Sequence, residues 1–208
     1  TEDLVVPGTL TVKLLRSLHA FARIRSIDTA AAKAMPGVEC VLTYQDVPQV
    51  RFTIAGQSYP EPSPYDRLIL DQWVRYVGDE VAIVAAIDEK TALAALDLIK
   101  VDYEVLEPVL DLDTAIDHPS VVHPEHDLFC NFPIGLERER NIASSHTSEY
   151  GDVEAELARC EVVVEESYRT QAQAQAMMET FRTFTHLDQA GRLVVISSTF
   201  VVVVIGAS

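Results

Sequence analysis

Three groups of side chains have types and spacings that bear on chemistry. His118, His123 and His126 stand close to Glu125 and Asp127. Imidazoles and carboxylates are metal ligands, but a real centre needs them to converge from fixed elements. These five fall in a proline-broken stretch with no helical i, i+4 pair. The spacing therefore favours solvated loop histidines over a metal site, and no metal ligand is assigned. Glu179 lies in an apolar run, Ala176-Met177-Met178-Glu179-Thr180-Phe181. A buried carboxylate with a raised pKa can act as an acid or base. An outward position on an alternating strand is the commoner arrangement and is preferred. Gln171, Gln173 and Gln175 alternate strictly, so one face of that segment is lined with amides. Such a face either meets a polar cofactor or meets water, and periodicity does not choose between them.

The usual signatures of other chemistries are missing. There is no GxGxxG, no GxxxxGK[ST] and no GxSxG, which removes the standard marks of dinucleotide binding, phosphate loops and serine hydrolysis. The net charge is −16, from 32 acidic and 16 basic residues. So acidic a surface repels nucleic-acid phosphates and anionic membranes, and neither is expected as a partner. Cys40, Cys130 and Cys160 stand far apart. An odd count without a CxxC argues against a disulfide framework or zinc ribbon and points to a reducing, cytoplasmic setting. No stretch reads as a signal peptide or a membrane span. Thr1 is not an initiator methionine, so the chain is expected to be trimmed.

The elements that must position these residues are organised around residues 74–116. Residues 80–87, EVAIVAAI, are too short for a typical helix and too apolar for a half-exposed strand, so they predict a strand buried on both faces. Asp88 is placed to cap a helix in which Ala92, Leu93, Ala95, Leu96 and Ile99 share a stripe. Residues 100–106 alternate as a second strand, and the three elements together predict a βαβ crossover. Before this unit, strands are expected at 9–15, 19–27 and 38–43, with a short helix at 29–35 stopped by Pro36-Gly37. Residues 47–66 read as a long surface loop. After it, 152–158 predicts a short helix, 161–168 a strand, 170–186 a long strand, and 193–198 the return arm of a hairpin.

The same residues resemble a known family. LLRSLHAFARIRSIDTAAAKAMPGVECVLTYQDVP (14–48), the 74–116 segment, GDVEAEL (151–157), EESYRTQAQAQAMMET (165–180) and GRLVVISST (191–199) are similar, in order and spacing, to the molybdenum-binding subunit of xanthine dehydrogenases and aldehyde oxidases. The resemblance implies an α+β fold. It comprises an α/β-hammerhead domain over residues 1–116, a linker over 117–150, and the truncated start of a mixed α/β molybdopterin-binding domain over 151–208. In the family a molybdenum atom on a pterin dithiolene hydroxylates a purine, aldehyde or N-heterocycle, and electrons leave through iron–sulfur and FAD subunits or domains. On this resemblance Gln171, Gln173, Gln175 and Glu179 are the candidate cofactor-binding residues.

Departures from the family pattern limit what is expected. Phe200 stands where the family places a Gln beside the molybdenum, Phe181 where Met-Glu-Thr is often followed by His, and Leu18 where an early Pro is usual. The family's glycine-rich cofactor loop and catalytic glutamate lie farther along, so no catalytic residue is assigned. The chain alone is expected to be inactive and without cofactor. The apolar run over 193–205 suggests self-association through an exposed edge. A non-catalytic assembly module and a small acidic binding protein using the glutamine face remain open as alternatives.

Overall fold

The computed structural model describes residues 4, 6–54, 60–174, 176, 178 and 180–198. Among the described residues, eight strands and three α-helices run in the order β1 (Thr11–Arg16), β2 (Ala22–Asp28), α1 (Ala30–Lys33), β3 (Val38–Thr43), β4 (Trp73–Val74), β5 (Glu80–Ala86), α2 (Glu89–Leu96), β6 (Lys100–Val105), α3 (Val153–Arg159), β7 (Thr183–Leu187) and β8 (Leu193–Ser197). Val6–Ser145 form one compact unit, and Thr1–Val5 with His146–Ser208 the other.

The larger unit holds two three-stranded antiparallel sheets, ordered β1-β5-β3 and β4-β2-β6. Successive strands from β1 to β6 alternate between them, so every connection crosses from one sheet to the other. This corrects the expected βαβ crossover. β5, α2 and β6 form in sequence, but α2 carries the chain to a different sheet, and the handedness rule for parallel strands within one sheet does not apply.

β5 explains the apolar run. Ala82, Val84 and Ala86 pack with Ala32, Val41, Ala92, Ala95 and Ile99, which brings α1 and α2 onto one face of the first sheet. Val81 joins Ala22, Ile24 and Val74 of the second sheet. β5 is thus covered on both sides, as the unbroken EVAIVAA predicted. The Asp88 carboxylate accepts from the Thr91 N–H at 2.7 Å and starts α2. Gly37 ends the turn after α1 with φ +87, and a Cβ there would lie 2.9 Å from the Ile87 Cδ1. A bulge between Ile24 and Ser26 turns Ile27 toward the core, where strict alternation puts Ser26.

Residues 117–145 contain little regular structure, yet they belong to the larger unit. Phe129 bridges and stacks on Tyr65, with ring centroids 4.6 Å apart. Asn141, in the left-handed region at φ 58, accepts from Val122 N–H and donates to the carbonyls of Ala115 and Ser120. One amide therefore knits the segment together. It behaves as a strap held to the first unit, where the sequence suggested a linker.

In the smaller unit α3 forms under its Asp152 cap, and β7 pairs with β8 in a hairpin closed at Asp188–Gly191. The strand expected at 161–168 does not form, and the one expected at 170–186 is reduced to Thr183–Leu187 among the described residues. Their alternation is real, but no described strand lies beside them to take up their backbone groups.

Candidate functional site

The most strongly organised polar cluster lies on the larger unit. Arg51 follows β3 and is set by the neighbouring Phe52–Arg67 backbone bridge. Arg75 follows β4, and its N–H donates to the Asp79 carboxylate at 2.9 Å. Glu125 comes from the strap. Its Oε1 lies 2.8 Å from Arg75 Nη2, 2.8 Å from His123 Nδ1 and 3.4 Å from Arg51 Nη1. Asp127 takes the other Arg51 amine at 2.8 Å, and Asp71 takes Arg75 Nη1 at 2.9 Å. The side chains of Arg51, Arg75 and Glu125 are only 7%, 8% and 9% exposed.

Burial pushes the Glu125 carboxyl up, but the His123 hydrogen bond and the Arg75 charge outweigh it and lower its pKa to about 2. Burial likewise works against the Arg51 charge, while the bond to Asp127 and the charge of Glu125 hold its pKa above the ordinary value. The Arg51 hydrogen bond depresses Asp127. Glu125 is therefore a fixed anion at neutral pH and no proton shuttle. Among the described residues the buried side-chain atoms Arg51 Nε, Arg75 Nε and Glu125 Oε2 lack a hydrogen-bond partner. An open groove of about 460 Å³ runs past this cluster, lined by Tyr44, Gln49, Arg51, Trp73, Glu125 and Asp127.

The structure splits the histidine group seen in the sequence. His123 serves Glu125, His126 Nδ1 accepts from Arg138, and His118 Nδ1 accepts from the Ser120 N–H. No group of three His, Cys, Asp or Glu side chains converges on a metal position among the described residues. Sequence reasoning missed the arginines that organise Glu125. Arg51 sits in a segment read as surface loop, and 76 positions separate it from its Asp127 partner. Nothing in a linear pattern links them.

Gln171 and Gln173 are exposed and lie outside any strand. Gln175, Glu179 and Phe200 lie outside the described residues. The described part of 165–182 forms no cradle: every residue in it is exposed.

Comparison with known proteins settles the family. Residues 1–107 match the aldehyde oxidase and xanthine dehydrogenase a/b hammerhead domain, and residues 135–206 match the molybdopterin cofactor-binding domain. The chain belongs to the aldehyde oxidase and xanthine dehydrogenase family. It is 38% identical over 222 aligned residues to the "probable hypoxanthine oxidase XdhD" of Escherichia coli (strain K12), covering 95% of this chain and 23% of that protein. It is 32% identical to the nicotinate dehydrogenase large molybdopterin subunit of Eubacterium barkeri, covering 95% of this chain and 42% of the relative. Among solved structures, the aldehyde oxidoreductase of Desulfovibrio gigas superposes with a TM-score of 0.75 at 27% identity, over 93% of this chain and 20% of that one. The chain therefore spans less than half the length of each. The hammerhead assignment and the α+β class read from the sequence agree with these matches. No helix of the described residues is long and apolar enough to cross a membrane.

Among the described residues, none forms a cage for the molybdenum cofactor that the family implies. Gln171 and Gln173 face solvent, and no described backbone or side-chain cage surrounds them.

Proposed function

We propose that this chain is the hammerhead domain and the opening of the cofactor domain of a molybdenum hydroxylase. The intact enzyme oxidatively hydroxylates a purine, aldehyde or N-heterocycle with molybdopterin as cofactor, and passes electrons to iron–sulfur and FAD subunits or domains in the cytoplasm. One observation carries this reading: two domain families match in the order and spacing expected of such an enzyme. Substrate class follows from relatives named for hypoxanthine and nicotinate. The cofactor carries the hard chemistry, and the protein supplies binding and orientation. In this reading Gln171, Gln173, Gln175 and Glu179 line the cofactor side of a sheet that further strands complete.

The larger unit acts as scaffold. Its two cores hold a rigid body, and its buried ionic cluster contains no nucleophile or poised base. In this reading the 208-residue chain alone is inactive. The test is metal analysis and dye-coupled hydroxylation of hypoxanthine, nicotinate and simple aldehydes. Two proteins are compared: this chain, and the enzyme encoded by the whole reading frame that contains it. Molybdenum and turnover are expected only in the second. Stoichiometric molybdenum or turnover in the chain alone, or neither in the whole enzyme, overturns the proposal.

A further inference from the structure

The Arg51–Arg75 cluster is occupied by a poorly matched ligand. Glu125 engages both arginines and His123 through a single oxygen, Oε1, while Oε2 is buried without a partner. Arg51 uses its two terminal amines on Asp127 and on the Asp66 carbonyl, and its Nε is orphaned. Arg75 uses its own on Asp71, Trp73 and Glu125, and its Nε is orphaned too. Guanidinium groups bind carboxylates best in a two-oxygen fork. Buried polar atoms left unpaired are costly. Glu125 is tethered by its backbone in the strap and does not adopt the fork. A free carboxylate can rotate and place one oxygen on each arginine.

Charge permits the same ligand. With Asp127 on Arg51 and Asp71 on Arg75, removing Glu125 leaves a neutral set of two cations and two anions. One negative charge then reproduces the present balance. The groove beside the cluster reaches Arg51, Glu125 and Asp127 from solvent, and Tyr44 and Trp73 give it aromatic walls. We propose that Arg51 and Arg75 form a receptor for a small-molecule monocarboxylate, which Glu125 of the strap closes as an internal stand-in. A carboxylate entering by the groove takes the place of the Glu125 side chain.

The test uses the 208-residue chain with Glu125→Ala, and thermal unfolding in sodium acetate against sodium chloride at equal ionic strength. Acetate at about ten times its dissociation constant is expected to raise the midpoint of the variant by about 3 °C over chloride. The wild type, with the site occupied, should shift by less than a third of that. In Glu125→Ala/Arg51→Gln the acetate effect should vanish. A folded Glu125→Ala that responds equally to acetate and chloride overturns the proposal, as does a double variant that keeps the acetate shift. A larger shift with inorganic phosphate than with acetate also overturns the carboxylate assignment. Should Glu125→Ala not fold, the arginine Nε–H resonances of the wild type are followed by NMR during acetate titration. Movement of the Arg51 and Arg75 signals supports the receptor, and signals unmoved at saturating acetate rule it out.

Discussion

The two units of this chain are written in similar residues and reach different ends. EVAIVAA in β5 and EVVVEES at 161–167 are both rich in alanine or valine beside glutamate. The first becomes a central strand with Val81, Ala82, Val84 and Ala86 at no more than trace exposure. The second is not a strand, and Val162, Val163 and Val164 stand 75%, 59% and 77% exposed. No described residue of 146–198 is buried. The difference lies in neighbours rather than propensity. β5 has β1 and β3 on its edges, helices on one face and β2 on the other. Residues 161–167 have none of these. A β-branched run lowers the cost of extended backbone, but burial of side chains, worth roughly 1.5–3 kcal/mol each, is what holds it.

The sharpest way to break this comparison is to place the same charge in both segments. Val84→Asp buries an unpaired carboxylate between α2 and the sheet and is expected to cost about 4 kcal/mol or more. Val164→Asp should change stability by less than about 0.5 kcal/mol. Urea unfolding followed by the fluorescence of Trp73, the single tryptophan, reads the larger unit directly. A comparable loss from Val164→Asp would mean that 161–167 is packed in solution.

How far the fold was legible follows the same line. β5 and the α2 cap were readable because their signals are local: a bounded apolar run, and an Asp placed before a helical stripe. The alternation at 165–180 reported a face and said nothing about who covers it. The sheet change between β5 and β6 was hidden because a strand–helix–strand pattern does not encode which sheet receives the last strand. The strap was invisible for a different reason. Its hold depends on Arg51 and Arg75, 76 and 50 positions away from their acidic partners Asp127 and Glu125. As for the candidate site, the sequence placed Glu125 beside His123 but offered a metal as the alternative to solvent. The structure supplies arginines instead.

A second, smaller effect separates the strap from the tail beyond it. Burial raises the Glu125 pKa, but the His123 hydrogen bond and the Arg75 charge outweigh it and lower the pKa from the ordinary 4.5 to about 2 in the folded chain. A depressed carboxylate contributes stability that is full above about pH 4.5 and drains away as pH falls toward 2. Buried Asp79 acts the other way, because burial raises its pKa and folding then favours its protonated form. The Glu125 share is isolated by comparing wild type with Glu125→Gln. The variant is expected to be less stable at pH 7 and to lose less between pH 4.5 and 3. Urea midpoints from Trp73 at three pH values measure this, and parallel acid profiles for the two proteins would count against the buried ion pair.

The smallest expected effect compares one interaction placed in both units. Asp88 accepts from Thr91 N–H at 2.7 Å to start α2, and Asp152 accepts from Ala155 N–H at 3.0 Å to start α3. The local chemistry is the same: a side-chain oxygen satisfies a free amide in the first turn and suits the helix dipole. The consequences differ because α2 buries Ala92 and Ala95 in a core, whereas α3 buries nothing. Loss of the first cap is therefore coupled to unfolding of the whole larger unit. Loss of the second is felt only by a seven-residue helix. Asp88→Ala should lower the thermal midpoint seen by Trp73, while Asp152→Ala should leave that midpoint in place and remove a little helical circular dichroism. A short isolated helix is marginal in water, so removing its cap is enough to melt it. An equal drop in the Trp73 midpoint for both variants would show that α3 is tied into the same cooperative core, and the contrast between the two units would have to be given up.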